Sequence, residues 1–443
     1  MTLAARSSLV SLLRFSLVTL LACGSLAAQA MVPSGPAFRS PVPVHQFLTA
    51  EQAKILSHMS VIQLPDGQGG TTETIRFEGV NVQIVNGSGT TTGVVDGLGN
   101  LIVGYNELRG FGNDRGGSHN LVVGMEHNFD SFGGFVGGKR NTLMGVHASV
   151  SGGTRNEAGG SYSSVSGGYN NEALGHYSSI SGGYYNSAGG AYSSVSGGYG
   201  NRAGAMFSSV SGGAVNNAQG ERSSISGGYQ NRTYGVYSSV SGGQYNESWL
   251  RASSVSGGRF NIASGEFASI SGGWSNTASG EFASVSGGKT NSADLSGSSV
   301  SGGHYNRASG LYSSVSGGYY NTASGAYSSV SGGRQGDAQG TWSSVGGGRD
   351  NIAIGLDTTV SGGYRGTAYG DSSVVSGGDT NTAFGRYSSI SGGLYNQTFG
   401  NASSVSGGQD NTANGGASSV SGGNSRNTPG IDDWVAGTLF EDN

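Results

Sequence analysis

The chain has 443 residues, of which 86 are Gly and 6 are Pro; 11% are charged and the formal net charge is −4. So much Gly, without much Pro, excludes a set of ordinary globular domains, and a glycine-rich chain that folds must have a strict period. No Lys/Arg cluster occurs, so the chain offers no basic surface for nucleic acid.

Residues 1–30 read as a signal peptide. Arg6 and Arg14 precede the apolar run FSLVTLLACGSLA, which ends in Ala28-Gln29-Ala30, a small-x-small cleavage pattern. The run is too short to remain as a bilayer span. The expectation is an exported protein, extracellular or on the outer cell surface, with no transmembrane helix in the mature chain. Cys23, the only cysteine, lies in Leu20-Leu21-Ala22-Cys23-Gly24, a stretch that resembles a bacterial lipobox. It is either the lipidation site or a residue discarded with the leader, and on both readings no intrachain disulfide forms.

After a linker (31–47), residues 48–94 predict an N-terminal helix and β-hairpin cap. Thr49 is the expected N-cap, with Glu51 and Gln52 in the first turn. Apolar alternation about Asp66-Gly67-Gln68-Gly69-Gly70 predicts a hairpin running into further strands. Residues 95–149 (NLIVGYNE, NLVVGMEHN, GFVGGKRNTLMG) predict irregular coils of a β-roll.

From 150 to 423 the register locks. Val150, Val165, Ile180, Val195 and Val210 stand 15 apart, and the series runs through Val285 to Val420: 270/15 = 18 intervals and 19 anchors, all Val or Ile. Counting the anchor as zero, Gly-Gly occupies +2 and +3 after every anchor. Asn fills +6 in 16 of 18 turns (Asn171, Asn186, Asn276 and Asn321 among them), Gly336 and Gly366 being the exceptions. Position +8 is Ala and +10 is Gly in 15 of 18 turns each, whereas +7 varies freely. Small uniform slots alternating with variable polar ones indicate a strand with one buried face. Each turn therefore predicts two short strands and two corners, one at Gly-Gly and one near the +10 Gly. Fifteen residues suffice for one coil of a β-solenoid but not for a helical repeat. The predicted fold class is all-β: a β-solenoid with 15-residue coils stacked ~4.8 Å apart, capped at its C-terminal end by residues 424–443 with Trp434, Val435, Leu439 and Phe440.

Ser164-Val165-Ser166-Gly167-Gly168 followed by Asn171, Ala173 and Gly175 resembles the head repeat of trimeric autotransporter adhesins, roughly Ser-Val-Ala-x-Gly-x-x-Ala-x-Ala-x-Gly. Here each turn is one residue longer, Asn replaces the first Ala and a second Gly replaces an aliphatic. The chain also resembles a group of secreted bacterial proteins with SSVSGG and NTASG repeats. The adhesin resemblance implies a left-handed parallel β-roll, association as a homotrimer and adhesion to a host or matrix surface.

Nothing in the sequence assembles a catalytic, cofactor or metal site. The seven His fall at unrelated slots, and only Asp379 fits the aspartate that a calcium-binding glycine nonapeptide needs on every turn. Glu157, Glu172, Glu247, Asp337 and Asp371 are scattered. Glu266 and Glu281 share a slot one strand spacing apart, closer than glycosidase carboxylates stand. Two stripes remain. Three residues before the anchor an aromatic recurs, at Tyr162, Tyr177, Tyr192, Phe267, Phe282, Tyr312, Tyr327 and Trp342 among others. A patchier file after Gly-Gly includes Tyr169, Tyr184, Tyr199, Trp274 and Tyr319. These rings either stabilise the rod or a chain–chain seam, or form a platform for sugars. The expected function is a non-catalytic, secreted or cell-surface rod with a structural or adhesive role. The alternative is a carbohydrate-binding module; ice binding by the outward Ser files and a polysaccharide-active enzyme rank below both.

Overall fold

The computed structural model describes residues 48–436, which divide into two units, one up to Gln83 and one from Ile84. The expected signal peptide, Cys23, the linker up to 47, and Leu439 and Phe440 lie outside the described residues.

In the first unit, helix α1 (Ala50–Ser57) starts at Thr49, whose hydroxyl accepts from the Gln52 amide (3.2 Å) while Gln52 Oε1 accepts from the Thr49 amide (2.8 Å). This reciprocal pair satisfies two of the donors that a helix start leaves open. Strands β1 (Met59–Pro65) and β2 (Thr71–Phe77) pair antiparallel, Pro65 opposite Thr71. Asp66 Oδ1 accepts from the amides of Gln68 and Gly70 at 2.8 Å, which tightens the turn and holds the Asp66 carboxyl below its usual range. The further strands expected after the hairpin do not form. Val80, Val82 and Ile84 alternate as a strand would, but no neighbouring edge pairs with them, and they remain exposed.

The second unit is a parallel β-solenoid of about 21 coils of ~15 residues. The anchor strands form one ladder, from Leu101–Val103 to Trp434–Val435, each paired in register with the strand one coil away (Val165 with Ile180, Ile180 with Val195). The +7/+8 strands form a second ladder, from Asn128–Phe129 to Asn427–Thr428. A third, absent from the two-strand reading, is a file of single parallel bridges at +4, from Lys139–Thr154 to Gln409–Asn424. Each coil is therefore three-sided.

The corners also differ from expectation. In every pair but the last, Gly422-Gly423, only the +3 member of Gly-Gly has positive φ, as at Gly288 (φ 86°), where a Cβ would be driven into the Gly303 carbonyl oxygen and the Asn291 side-chain nitrogen. Two further left-handed residues occupy +5 and +12 in nearly every coil, and most are not Gly: Tyr185 (φ 58°), Val215 (φ 58°) and Tyr177 (φ 56°). Each costs roughly 1–2 kcal/mol. What offsets the cost is hydrogen bonding. Strand amides donate to the following coil, as Tyr169 N does to Gly183 O (3.0 Å), whereas the left-handed residues turn theirs back, Asn170 to Thr154 O (3.0 Å) and Tyr177 to Ser161 O (2.9 Å). Carbonyls at +4 and +11 are thereby satisfied, as buried backbone requires.

The core is one narrow file per slot. The anchors are 0–1% exposed, +8 Ala and +6 Asn are buried, and so is the −2 Ser. Where +8 is Thr, its hydroxyl finds that Ser across the core: Thr233 to Ser223 (2.9 Å) and Thr398 to Ser388 (2.8 Å). Leu250 and Leu295, in the +10 Gly slot, turn outward instead.

At the ends the period bends rather than breaks. Val122, Val136 and Val150 pair in sequence at intervals of 136 − 122 = 14 and 150 − 136 = 14 residues, and Leu101 pairs with Leu121 across 20. At the other end Val435 stands 15 beyond Val420 and pairs with it, so the solenoid continues past 423 into the segment expected as a cap.

Candidate functional site

The Asn file is a hydrogen-bond ladder, interrupted at Gly336 and Gly366. Asn276 Nδ2 donates to Gly272 O of its own coil (2.9 Å) and to Gly288 O of the next (3.0 Å), while its Oδ1 accepts from the Asn291 amide (2.9 Å). Asn171, Asn186 and Asn321 do the same. At the N-terminal end His127 takes the slot: Nδ1 accepts from the Asn141 amide (3.2 Å) and Nε2–H donates to Val123 O (3.0 Å). Burial holds the His127 pKa below its ordinary value. This ladder explains why a polar residue fills a core slot that Ala could occupy: every polar atom of the side chain has a partner.

The aromatic file at −3 comprises left-handed residues whose rings stack along the rod. Tyr162–Tyr177 and Tyr177–Tyr192 lie 4.8 and 4.9 Å apart with 2° between planes, Phe267–Phe282 5.0 Å and 4°, Tyr312–Tyr327 5.4 Å and 14°, and Tyr327–Trp342 4.2 Å and 6°. Arg222 fills one rung as a cation between Phe207 and Tyr237 (5.4 and 5.3 Å). In the +4 file Tyr169 stacks on Tyr184 (4.8 Å), and elsewhere cations alternate with rings, as Lys289 on Trp274 (4.2 Å). Two further files escaped the sequence reading. At +5, Tyr305 stacks on Tyr320 (4.6 Å, 3°), and at +9, Tyr369, Phe384 and Phe399 stack at 5.0 and 4.8 Å. Same-slot aromatics at +9 were visible in the sequence; the +5 rings were masked by Arg, Gln, Ser and Asp at the same slot.

The orientation of these rings decides what they offer. Within a run each π face is covered by the next ring, so the surface receives edges and hydroxyls. A sugar stacks on a ring face, and such a face is free only where a run ends.

The outward Ser files stand as expected, +1 exposed and −1 half-buried. The +2 Gly that follows them is unexplained from inside. At Gly167, Gly242, Gly287 and Gly317 a Cβ would meet nothing within 4 Å, and none of these residues is left-handed. The chain's own packing places no demand for glycine there.

Of the acidic residues read as scattered, Glu157 and Glu172 pair on adjacent coils of the second ladder. Glu266 is 3.7 Å from Arg251, one coil away in the same file. Among the described residues no group of three or more His, Cys, Asp or Glu is placed to hold a metal ion, and no helix is long and apolar enough to cross a membrane.

A cleft of about 380 Å³ lies in the early coils. Thr142, Glu157 and Glu172, successive partners in the second ladder, form its floor. Arg109, Phe111, Arg140, Arg155 and Asn170 complete it. Burial, then the neighbouring Glu172 carboxylate, raises the Glu157 pKa. No family model matches the chain, and no curated protein matches it significantly.

Proposed function

We propose that this protein is a secreted or cell-surface rod, non-catalytic, with a structural or adhesive role and self-association resembling that of trimeric adhesin heads. The observation that carries this reading is the solenoid itself: about 21 coils held by the same inter-coil bonds, a design whose product is length and surface. The +2 glycines support self-association. A face kept free of side chains with no internal reason suits close approach by another surface.

The second reading, a carbohydrate platform on the aromatic stripes, is weakened by ring faces already consumed in stacking. Replacing Tyr312, Tyr327 and Trp342 together with Ser tests the two. Each stacked pair is worth on the order of 0.5–1.5 kcal/mol beyond its area. A structural ladder or seam predicts a lower Tm or a lost oligomer, with retention on cells or insoluble polysaccharide falling only as folded protein is lost. Unchanged Tm and mass with lost retention would favour the platform.

A further inference from the structure

The 20-residue step from Leu101 to Leu121 inserts a loop that no other coil has, and the loop is pinned. Arg109 donates from Nε to Glu126 O (2.7 Å), from Nη1 to Thr142 Oγ1 (3.0 Å), and also to Asn141 O. Asn128 Nδ2 donates to Gly112 O (2.6 Å), and the Phe129 amide to Asp114 O (2.9 Å). Between these anchors Phe111 is held at the rim of the cleft, 96% exposed. Among the described residues no ring or guanidinium stacks on it, in contrast to the ring runs along the rod.

The floor beside it holds two carboxylates without partners and guanidinium groups that keep free N–H donors. Glu157 and Glu172 accept no hydrogen bond and pair with no cation among the described residues. Arg109 and Arg155 have no carboxylate partner; Arg155 Nη1 bonds the Tyr169 hydroxyl (2.6 Å). Asn170 adds both a donor and an acceptor. Charges of both signs lie side by side, which suits neither a simple anion nor a simple cation. It suits vicinal hydroxyls, each of which donates to a carboxylate and accepts from a guanidinium while the ring's apolar face lies on an aromatic. The volume is within the range of small-ligand sites.

We propose that this cleft binds a saccharide, with Phe111 as the stacking face and Glu157, Glu172, Arg109 and Arg155 engaging adjacent hydroxyls. The floor residues belong to the second ladder, but sugar binding requires neither self-association nor adhesion by the rod, so the proposal and the structural reading fail independently.

The test is calorimetric titration of the full chain with neutral hexasaccharides (gluco-, xylo- and manno-configured) and with an oligouronate. It is repeated on Phe111→Ala, Glu172→Gln and, as a distant control, Trp342→Ser. At least one neutral sugar is expected to bind, with affinity falling about tenfold or more in both cleft variants, their Tm unchanged, and no change of affinity in the control. Absence of binding at about 10 mM, a very weak limit on the affinity scale, overturns the proposal. So does binding that ignores both cleft variants, and so does binding of the uronate alone that vanishes in salt.

Discussion

Replacing Asn276 with Ala removes one rung of the buried amide ladder, and its cost can be worked from the bonds. The side chain makes three: to Gly272 O, to Gly288 O and from the Asn291 amide. Gly288 O keeps a second donor in the Trp274 amide, whereas the Asn291 N–H is left buried without an acceptor. Net hydrogen-bond loss plus one orphaned donor comes to roughly 2–4 kcal/mol. The chain contains the converse case. Asn321 Oδ1 still accepts from the Gly336 amide (2.8 Å), but Gly336 has no side chain to receive the Asn351 amide. Gly336→Asn restores that acceptor. Its Cβ would stand 3.1–3.2 Å from methyls of Val345 and Val330, so these must give slightly, and the expected gain is about 1 kcal/mol, one net hydrogen bond. In a stacked array the effects are local, so the assay is amide hydrogen exchange. Protection at Asn291 should fall about 30- to 1,000-fold in Asn276→Ala, the equivalent of 2–4 kcal/mol, and protection at Asn351 should rise in Gly336→Asn. Unchanged exchange at Asn291, or weaker protection at Asn351, refutes the ladder as a source of stability.

The two members of Gly-Gly should respond in opposite ways. Gly287→Ser is expected to shift stability by no more than about 0.5 kcal/mol in a thermal melt, while Gly288→Ala adds a left-handed Cβ against backbone and should cost about 3 kcal/mol or more. His127 makes the N-terminal rung acid-sensitive. Its folded pKa lies below the 6.5 of the free group, so the unfolded chain binds more protons in the window between the two values. Stability is then full above 6.5 and declines as the pH falls through that window. His127→Asn, which keeps an acceptor without a titrating group, should flatten the decline in melts taken from pH 7 to 5; an identical acid slope would refute the assignment.

The solenoid was legible because Val, Gly-Gly, Asn and Ala answer to geometry that recurs in every coil. What escaped did so for physical reasons. The third ladder rests on backbone bridges alone, and residues as different as Tyr169, Arg259 and Lys289 serve it equally well. The left-handed corners at +5 and +12 carry Tyr and Arg where glycine would have announced them, because inter-coil bonds and ring stacking hold those residues in place. Val435 fits the 15-residue spacing but stands in a segment whose Gly-Gly and Asn signals have faded. Glu157 and Glu172 share the +7 slot of adjacent coils, so their pairing was readable from the period; that the insertion between Leu101 and Leu121 falls beside them is a juxtaposition only the fold creates.

The claim on which the rest depends is that the repeats are interchangeable coils of one rod. Deleting Val285–Thr359 removes 75/15 = five coils and joins Ser284 to Val360 in register. Particle length by electron microscopy should fall by about 24 Å, five strand spacings of ~4.8 Å, with the β-sheet signal per residue unchanged. A particle of unaltered length, or one that shortens only by collapsing with loss of sheet, would contradict it.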